Sequence, residues 1–547
     1  MSRAEKRQAR IRGAVERAVT PLRTEARDLV AAGRAEDAVN ALLKAVEDLA
    51  TRLALLEVGV ATRRSEKVDA RRLALAMAQL SPEQAQDDTP ESDATLRDTQ
   101  VEAEIEALQK QAKATRPRSK RGGRNPIPAS VPRTPERVPV DETARACPNC
   151  GAERVVIDFE TSEVLEIVPL HFHVVRYERE KRACPSCPDG GVVVAPPGAK
   201  VWDRALAGPA LLAQLVTSKY EDHVPLARLR TMSRRMGVDI AVSTLAAWTA
   251  RVALDLEPLW RALWKEVLAS HVVQTDASGL QVLDRDHEDG IVAGTMWCYV
   301  GDKNQVVFRY TENGTGHAGP WTALAGRKGY VQADAANVFD ALYDGRKAEA
   351  VEVGCWAHVR RRFVKLMEKD PRAAHAVDLI GKLYRIEELA TLKNLDAAAR
   401  QALRHQQSPS VLTRLKTWLE NTVARENPKS DLRAAARYPL NHWDALVRFL
   451  DDGTLALDNN LCELQIRSLA VGRRNWLFAG SHAGARNAAI LYSLMRTCAR
   501  NGVEPDIWLS DVLRKLAAGW PDRRITELLP HRWRDQAQKK PEPVEVG

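Results

Sequence analysis

No stretch of this 547-residue chain approaches the roughly 20 consecutive apolar residues that a bilayer-spanning helix needs. That argues against a helical membrane protein. The opening MSRAEKRQARIRGAVERAV has no apolar signal core, so the expected residence is the cytoplasm. Cysteine is scarce at eight residues, and the eight do not suggest a disulfide framework. Four make two CxxC pairs, while Cys298, Cys355, Cys462 and Cys498 are scattered. In a cytosolic chain, paired CxxC units read as a metal site before they read as disulfides. A large excess of one charge is also missing. Lys and Arg number 81 against 72 Asp and Glu, a formal +9. That suits a polyanionic partner but also fits many ordinary basic proteins.

What is present is enough chain for three or four domains. The first eighty residues are rich in Ala, Arg, Leu and Glu and read as helix. Val39, Leu42, Val46, Leu49, Leu53, Leu56 and Val60 alternate steps of three and four, giving a coiled-coil seam or the apolar face of a local hairpin. An acidic stretch to about Asp98 and a short helical piece around Val101–Ala114 follow. RPRSKRGGRNPIPASVPRTPERVP comes next, a disordered basic linker too poor in apolar residues to fold alone. Its Arg116, Arg118, Lys120, Arg121 and Arg124 are candidate phosphate contacts.

Cys147-Pro-Asn-Cys150 and Cys184-Pro-Ser-Cys187 bracket 33 residues containing strand-like runs at Val155–Phe159, Val164–Val168 and Phe172–Arg179. Four thiolates in two knuckles give the closed tetrahedral site that one structural zinc ion prefers, a zinc ribbon. His171 and His173 alternate within the last run and read as surface residues. Beyond it, Leu206–Val252 is helical. Leu226–Met236, Gly237 and a second helix capped by Ser243 and running through Trp248 are similar to a helix-turn-helix, with a plain helical hairpin as the alternative. Arg234 and Arg235 are its candidate DNA contacts.

From His271 the pattern changes to strands. HVVQTD ends on Asp276; Met296–Val300 and Val306–Tyr310 follow; GYVQAD ends on Asp334 and leads into NVFDALYDG; Val351–Cys355 leads into AHVRRRFVKLME. Three strands, then strand–helix–strand–helix, is the element order of a ribonuclease H-like core, with the first and fourth strands side by side. Acids at those two strand ends then share one site. Phosphodiester chemistry uses two divalent ions, Mg2+ or Mn2+, held by hard carboxylate oxygens. A third acid has to come from a later helix. Glu463, one turn into the helix of LDNNLCELQIRSLAVGRRNWLFAGS, is the candidate, with Asp458 as its rival. About a hundred residues of helical pattern separate this helix from Cys355. His358 reads equally as a contact to the scissile phosphate or as a packing residue. Arg473 and Arg474, beside Trp476, are candidate contacts to a DNA end.

These motifs together resemble the transposases of the insertion-sequence-66 family over nearly the whole chain. RRSEK at Arg63–Lys67, the two CPxC knuckles, QAD at Gln332–Asp334, WAHVRRRF at Trp356–Phe363, DNNLCE at Asp458–Glu463, GRRNWLFAGS at Gly472–Ser481 and the tail at Asn501–Trp533 carry the likeness. DNNxxE followed by GRxNWLFAGS is its most specific part. The resemblance implies an Asp–Asp–Glu triad on Asp276, Asp334 and Glu463. Two local departures are TDASGL, where the family commonly shows Asp-Glu-Thr, and DAANVF, which lacks the usual aromatic.

The expected protein is a multidomain α/β transposase. Its parts are an N-terminal helical or coiled-coil region (1–80), an acidic then basic disordered linker (81–142), a zinc ribbon (143–198) and a helical DNA-binding unit (199–265). A ribonuclease H-like core (266–364 and 456–498) is interrupted by a helical insertion (365–455), and a C-terminal helical element (499–547) closes the chain. Its partners are double-stranded DNA at element ends and target, a second copy of itself, and companion element-encoded proteins; when bound it sits on the bacterial nucleoid. The rivals are a junction resolvase or RNA-strand hydrolase of similar core, and a domesticated zinc-containing DNA-binding protein with an inactive core.

Overall fold

The computed structural model describes residues 205–539 without a break. It also describes 91–115, 171–183, 192–194, 200–202, Asn149 and scattered positions between 27 and 77. The zinc-ribbon cysteines, the basic linker and most of the coiled-coil seam lie outside the described residues.

In chain order the main elements begin with helix α1 (Glu91–Thr115) and the strand pair β1 (Lys181–Ala183) and β2 (Val192–Val194). Helices α2 (Pro209–Tyr220), α3 (Leu226–Arg235) and α4 (Val242–Leu268) precede strands β3 (Val272–Leu283), β4 (Ile291–Val300), β5 (Val306–Thr311), β6 (Tyr330–Gln332) and β7 (Val351–Val353). Helix α5 (Trp356–Leu366) follows β7 and leads into the insertion helices α6 (Ala373–Leu392), α7 (Ala397–Arg425) and α8 (Asp431–Asn441). Helices α9 (Asn460–Trp476), α10 (His482–Arg500), α11 (Pro505–Ala517) and α12 (Pro530–Lys539) complete the chain.

The five long-range strands form one mixed sheet in the order β5–β4–β3–β6–β7. β3 pairs antiparallel with β4 and parallel with β6, with Gln274 opposite Gln332, so the first and fourth strands are neighbours, as their order in sequence predicts. β5 is an edge strand, and α10 covers it. Phe308 N–H donates to Ser493 Oγ at 2.7 Å and Val306 N–H to Thr497 Oγ1 at 3.0 Å, giving its outward amides partners. Val252, Leu256, Leu259, Leu263 and Val267 repeat at helical spacing along α4, and all are fully buried in the core that also takes Met296, Tyr299 and Phe308. At about 1.5–3 kcal/mol each, that stripe contributes on the order of 10 kcal/mol before entropy is counted. A second core joins β7 and α5 to the insertion through Val353, Trp356, Phe363, Leu383, Leu415 and Leu419.

Four expectations need correction. Residues 171–180 have no regular secondary structure, and the strand there is only Lys181–Ala183. Ser243 does not cap the second helix. Ala241 holds that position without a side-chain bond, Ser243 is exposed, and the helix runs to Leu268 because its stripe packs on the sheet. NVFDALYDG is a 3-10 turn, Asn337–Phe339, followed by a single helical turn rather than a helix. The end of the acidic stretch, Glu91–Asp98, belongs to the same 25-residue helix as the short helical piece, α1. Its Val101 and Ile105 bury against Leu389 of α6, and Asp98 pairs with Arg414 at 2.7 Å and Lys382 at 3.0 Å.

Candidate active site

Strands β3 and β6 each approach the site with the same tripeptide pattern, Gln274-Thr-Asp276 and Gln332-Ala-Asp334. Residues two apart share a face of a strand. The glutamines therefore sit on the face of the acids, one pleat back, and both are buried. Gln274 Nε2 donates to Gln332 Oε1 at 2.8 Å and to Asp458 O at 3.2 Å. Gln332 Nε2 donates to Gly354 O at 3.0 Å and Ala456 O at 2.8 Å. This amide ladder ties β3, β6, the end of β7 and the segment before α9 into one register directly beneath the acids. The repeated Gln-x-Asp was visible in the sequence, but only the acids drew notice.

Asp276 is partly buried within β3. Burial pushes its carboxyl up to about 7, the neighbouring Asp334 and Glu463 carboxylates add to the rise, and the Ala277 N–H at 2.7 Å and Arg361 oppose it. Asp334 and Glu463 thus both lie within electrostatic reach of Asp276, which stands inside β3 rather than at its end, while Asp334 follows β6 by two residues. Among the described residues the three acids do not close to the 4.8 Å that a single shared ion site requires.

Helix α9 is aimed by its first residues. Asn459 is fully buried and spends its amide on Thr275 O at 2.9 Å, next to Asp276, instead of capping the helix, while its N–H donates to Cys355 Sγ at 3.2 Å. Asp458 takes the capping work: Oδ1 accepts from Asn460 N–H at 3.0 Å, and Oδ2 accepts from the Tyr384 hydroxyl at 2.8 Å. Those commitments favour Glu463 over Asp458 as the reactive acid. Glu463 is half-buried and held by Arg361 Nη2, 2.9 Å from Oε2 and 3.2 Å from Oε1. His358 Nε2 lies 3.6 Å from its Oε1. Arg360 lies over the Tyr384 ring at 6.0 Å and Arg362 over the Tyr438 ring at 3.8 Å, so the run Arg360–Arg362 faces three different partners.

The insertion also holds this site. Arg404 of α7 is completely buried. It makes a two-pronged contact to Glu387 at 2.7 and 2.8 Å and donates to Phe449 O, Asp452 O and Leu455 O at 2.7, 3.0 and 2.8 Å. It pins the segment that delivers Asp458 and α9, and nothing in the sequence singled it out.

The candidate DNA contacts fall out unevenly. Arg473 donates to Ser278 Oγ at 3.2 Å and to Gly279 O, tying α9 back to β3. Arg474 and Arg235 are exposed, and Arg234 is exposed 3.9 Å from Asp239, which Arg230 grips more closely at 2.8 Å. Trp476 is partly buried against the core with Lys219 over its ring at 5.8 Å.

Comparison with known proteins decides the family. Residues 204–487 match the model of the IS66 transposase family, residues 144–188 its zinc-finger binding domain, and residues 493–531 the IS66 C-terminal element. The chain belongs to the IS66 transposase family. The four CPxC cysteines fall inside the family's zinc-finger region. Two relatives come from Sinorhizobium fredii (strain NBRC 101917 / NGR234). The uncharacterized protein y4hP is 31% identical over 461 residues, 79% of this chain and 82% of the relative. The uncharacterized protein y4qI is 32% identical over 402 residues, 71% of this chain and 74% of the relative. No solved structure matches. Among the described residues no helix is long and apolar enough to cross a membrane.

Proposed function

We propose that this IS66-family transposase binds the ends of its own insertion sequence, nicks them to free 3′-hydroxyls and joins those to target DNA, using Asp276, Asp334 and Glu463 as a metal-holding triad in a ribonuclease H-like core. The observation that carries the reading is the parallel pairing of β6 with β3, Gln274 opposite Gln332, which sets Asp276 and Asp334, each two residues on, beside each other; burial, Asp334 and Glu463 raise the Asp276 carboxyl. Neighbouring carboxylates repel one another, a cation drawn between them relieves that repulsion, and their oxygens are the hard donors that Mg2+ or Mn2+ takes. When bound, two such ions would polarise the phosphodiester, activating the attacking oxygen and steadying the leaving one. The sheet order supports the ribonuclease H-like assignment, because β5, β4 and β3 run antiparallel in turn and β6 and β7 follow in parallel beside β3.

The chain's own groups have distinct tasks in this reading. The glutamine ladder and Asn459 hold the three acid-bearing segments in register. Arg361 orients Glu463 and supplies positive charge where a phosphate must enter. Exposed Arg474, Arg234 and Arg235, with the linker residues Arg116, Arg118, Lys120, Arg121 and Arg124, neutralise the DNA backbone. Cys147, Cys150, Cys184 and Cys187 hold one structural zinc, closed to substrate. No residue is needed as a covalent nucleophile, because water and then the freed 3′-hydroxyl attack phosphorus directly.

The test is incubation with Mg2+ or Mn2+ and the flanking element ends, followed by analysis for 3′-end nicking and strand transfer. Asp276→Asn, Asp334→Asn and Glu463→Gln should each abolish both steps and leave end binding intact. Asp458→Asn should keep measurable nicking. Near-normal activity of Glu463→Gln would remove it from the triad. Specific binding without any nicking by the wild type would instead indicate a DNA-binding protein with an inactive core.

A further inference from the structure

Two helix starts meet beside the triad, and the side chains they bring together are not all suited to magnesium. Cys355 stands at the N-terminal boundary of α5 and His358 lies in its first turn, an i, i+3 spacing that puts both on one side of the helix. Glu463 comes from the first turn of α9. The Cys355 sulfur, a His358 ring nitrogen and a Glu463 oxygen all lie within 4.8 Å of one another.

We propose that Cys355, His358 and Glu463 form a soft-metal site, suited to zinc, that withdraws Glu463 from the catalytic carboxylates. The proposal rests on the assignment of Glu463 above. At zinc–ligand lengths of about 2.0–2.3 Å, the edges of a tetrahedral site are roughly 3.3–3.7 Å. The 3.6 Å between His358 Nε2 and Glu463 Oε1 already falls in that range. Arg361 leans towards Oε2, at 2.9 Å against 3.2 Å to Oε1, so an ion on Oε1 need not displace it. His358 Nδ1 is buried with no hydrogen-bond partner among the described residues, so no bond there fixes the ring against a small turn towards an ion.

The donor chemistry sets the metal. A thiolate, an imidazole and one carboxylate oxygen select zinc over magnesium, which prefers an all-oxygen shell. Cys355 enters the site as a buried, free thiol. Zinc therefore binds by replacing the sulfhydryl proton, which leaves to solvent as the S–Zn bond forms, with no change of oxidation state. The Asn459 N–H already directed at Cys355 Sγ, at 3.2 Å, steadies the resulting thiolate. Three protein ligands leave one position for water. With Oε1 engaged, Glu463 is lost to the Mg2+ set, so zinc acts as a brake on nicking.

The experiment uses the full-length protein, equilibrated with zinc and freed of excess. Metal analysis should find about two zinc ions per chain, one of them in the four-cysteine site. Cys355→Ser and His358→Gln should each lose one equivalent and keep the other, and cobalt substitution should show a weaker sulfur-to-cobalt absorption in Cys355→Ser. Under Mg2+, the zinc concentration that halves nicking should rise at least ~10-fold in both variants. Thermal melts identify a variant that has failed to fold, in which case the half-exposed His358→Gln carries the test. Equal zinc content in the wild type and a folded variant overturns the site. Failure of the wild type to nick DNA would overturn the catalytic reading instead, because the zinc count is read without DNA.

Discussion

Replacing Gln332 with Leu removes a fully buried amide of similar volume and leaves the strand's apolar packing largely intact. Three hydrogen bonds go with it: the donations to Gly354 O and Ala456 O, and the acceptance from Gln274 Nε2. Gln274 keeps its contact to Asp458 O. At about 0.5–1.5 kcal/mol per net hydrogen bond, with orphaned buried carbonyls at the upper end, the loss is about 2–4 kcal/mol. Because the ladder is local, the measurement of choice is amide hydrogen exchange on peptides covering 272–276 and 330–334. Opening there should speed by roughly 30- to 1,000-fold, at 1.4 kcal/mol per factor of ten. Nicking should fall in parallel although no acid has been touched. Adding Gln274→Leu should cost less than the sum of the two single changes. Gln274 Oε1 already lacks a partner among the described residues, and removing both amides leaves fewer unmatched groups than removing one. Exchange unchanged within a factor of three, or strict additivity of the pair, would refute the ladder as the device that keeps the acids in register.

Two further outcomes follow from the same site. Asp276 has a folded pKa of about 7 against an ordinary 3.8, so between those values the folded chain holds a proton that the unfolded chain has released. Without divalent ions, stability should therefore fall as pH rises from about 4 to 7 and level off above. Asp276→Asn should flatten that fall and gain on the order of 2–4 kcal/mol above pH 7, read by denaturant titration across pH. Arg404→Met should cost about 3–5 kcal/mol by stranding Glu387 and three carbonyls. It should lower the melting temperature and loosen protection across 449–458, with Glu387→Met recovering part of the loss.

The legible parts of the sequence were those where one local pattern had one physical outcome. Apolar runs leading to an acid located β3 and β6, although β3 runs on past Asp276 to Leu283 because Ala277–Leu283 keep pairing with β4, and β6 stops at Gln332, two residues before Asp334. The helical spacing after Asn459 placed Glu463 on the first turn of α9. What escaped notice depended on partners distant in sequence. Gln274 and Gln332 look like ordinary polar strand residues until they face each other and Ala456, more than a hundred residues further on. Arg404 is one arginine among many on an amphipathic helix, and only the close approach of the 449–455 segment makes it a buried anchor. Ser243 is a good capping residue by type, but the packed stripe from Val252 to Val267 fixes the helix's position, and the helix begins one residue before it. Helix α1 begins earlier than its apolar residues indicate, and Arg414, Lys382 and Lys393, all distant in sequence, receive its Asp98 and Glu104.

The docking of α1 on the insertion changes the geometry of everything that follows it. Phe172 of the zinc-finger region packs against Leu215, Ile240 and Leu245, and residues 116–143 are the covalent leash that joins that region back to α1 at Thr115. Whatever path they take, those residues reach no further than about 100 Å from the α1 anchor. A DNA end gripped within that radius meets the acids as an intramolecular event, at an effective concentration set by the leash rather than by free protein in solution. Cutting the chain just after Thr115 would leave the zinc-finger region covalently joined to the body through α2 alone, with the restraint from α1 gone.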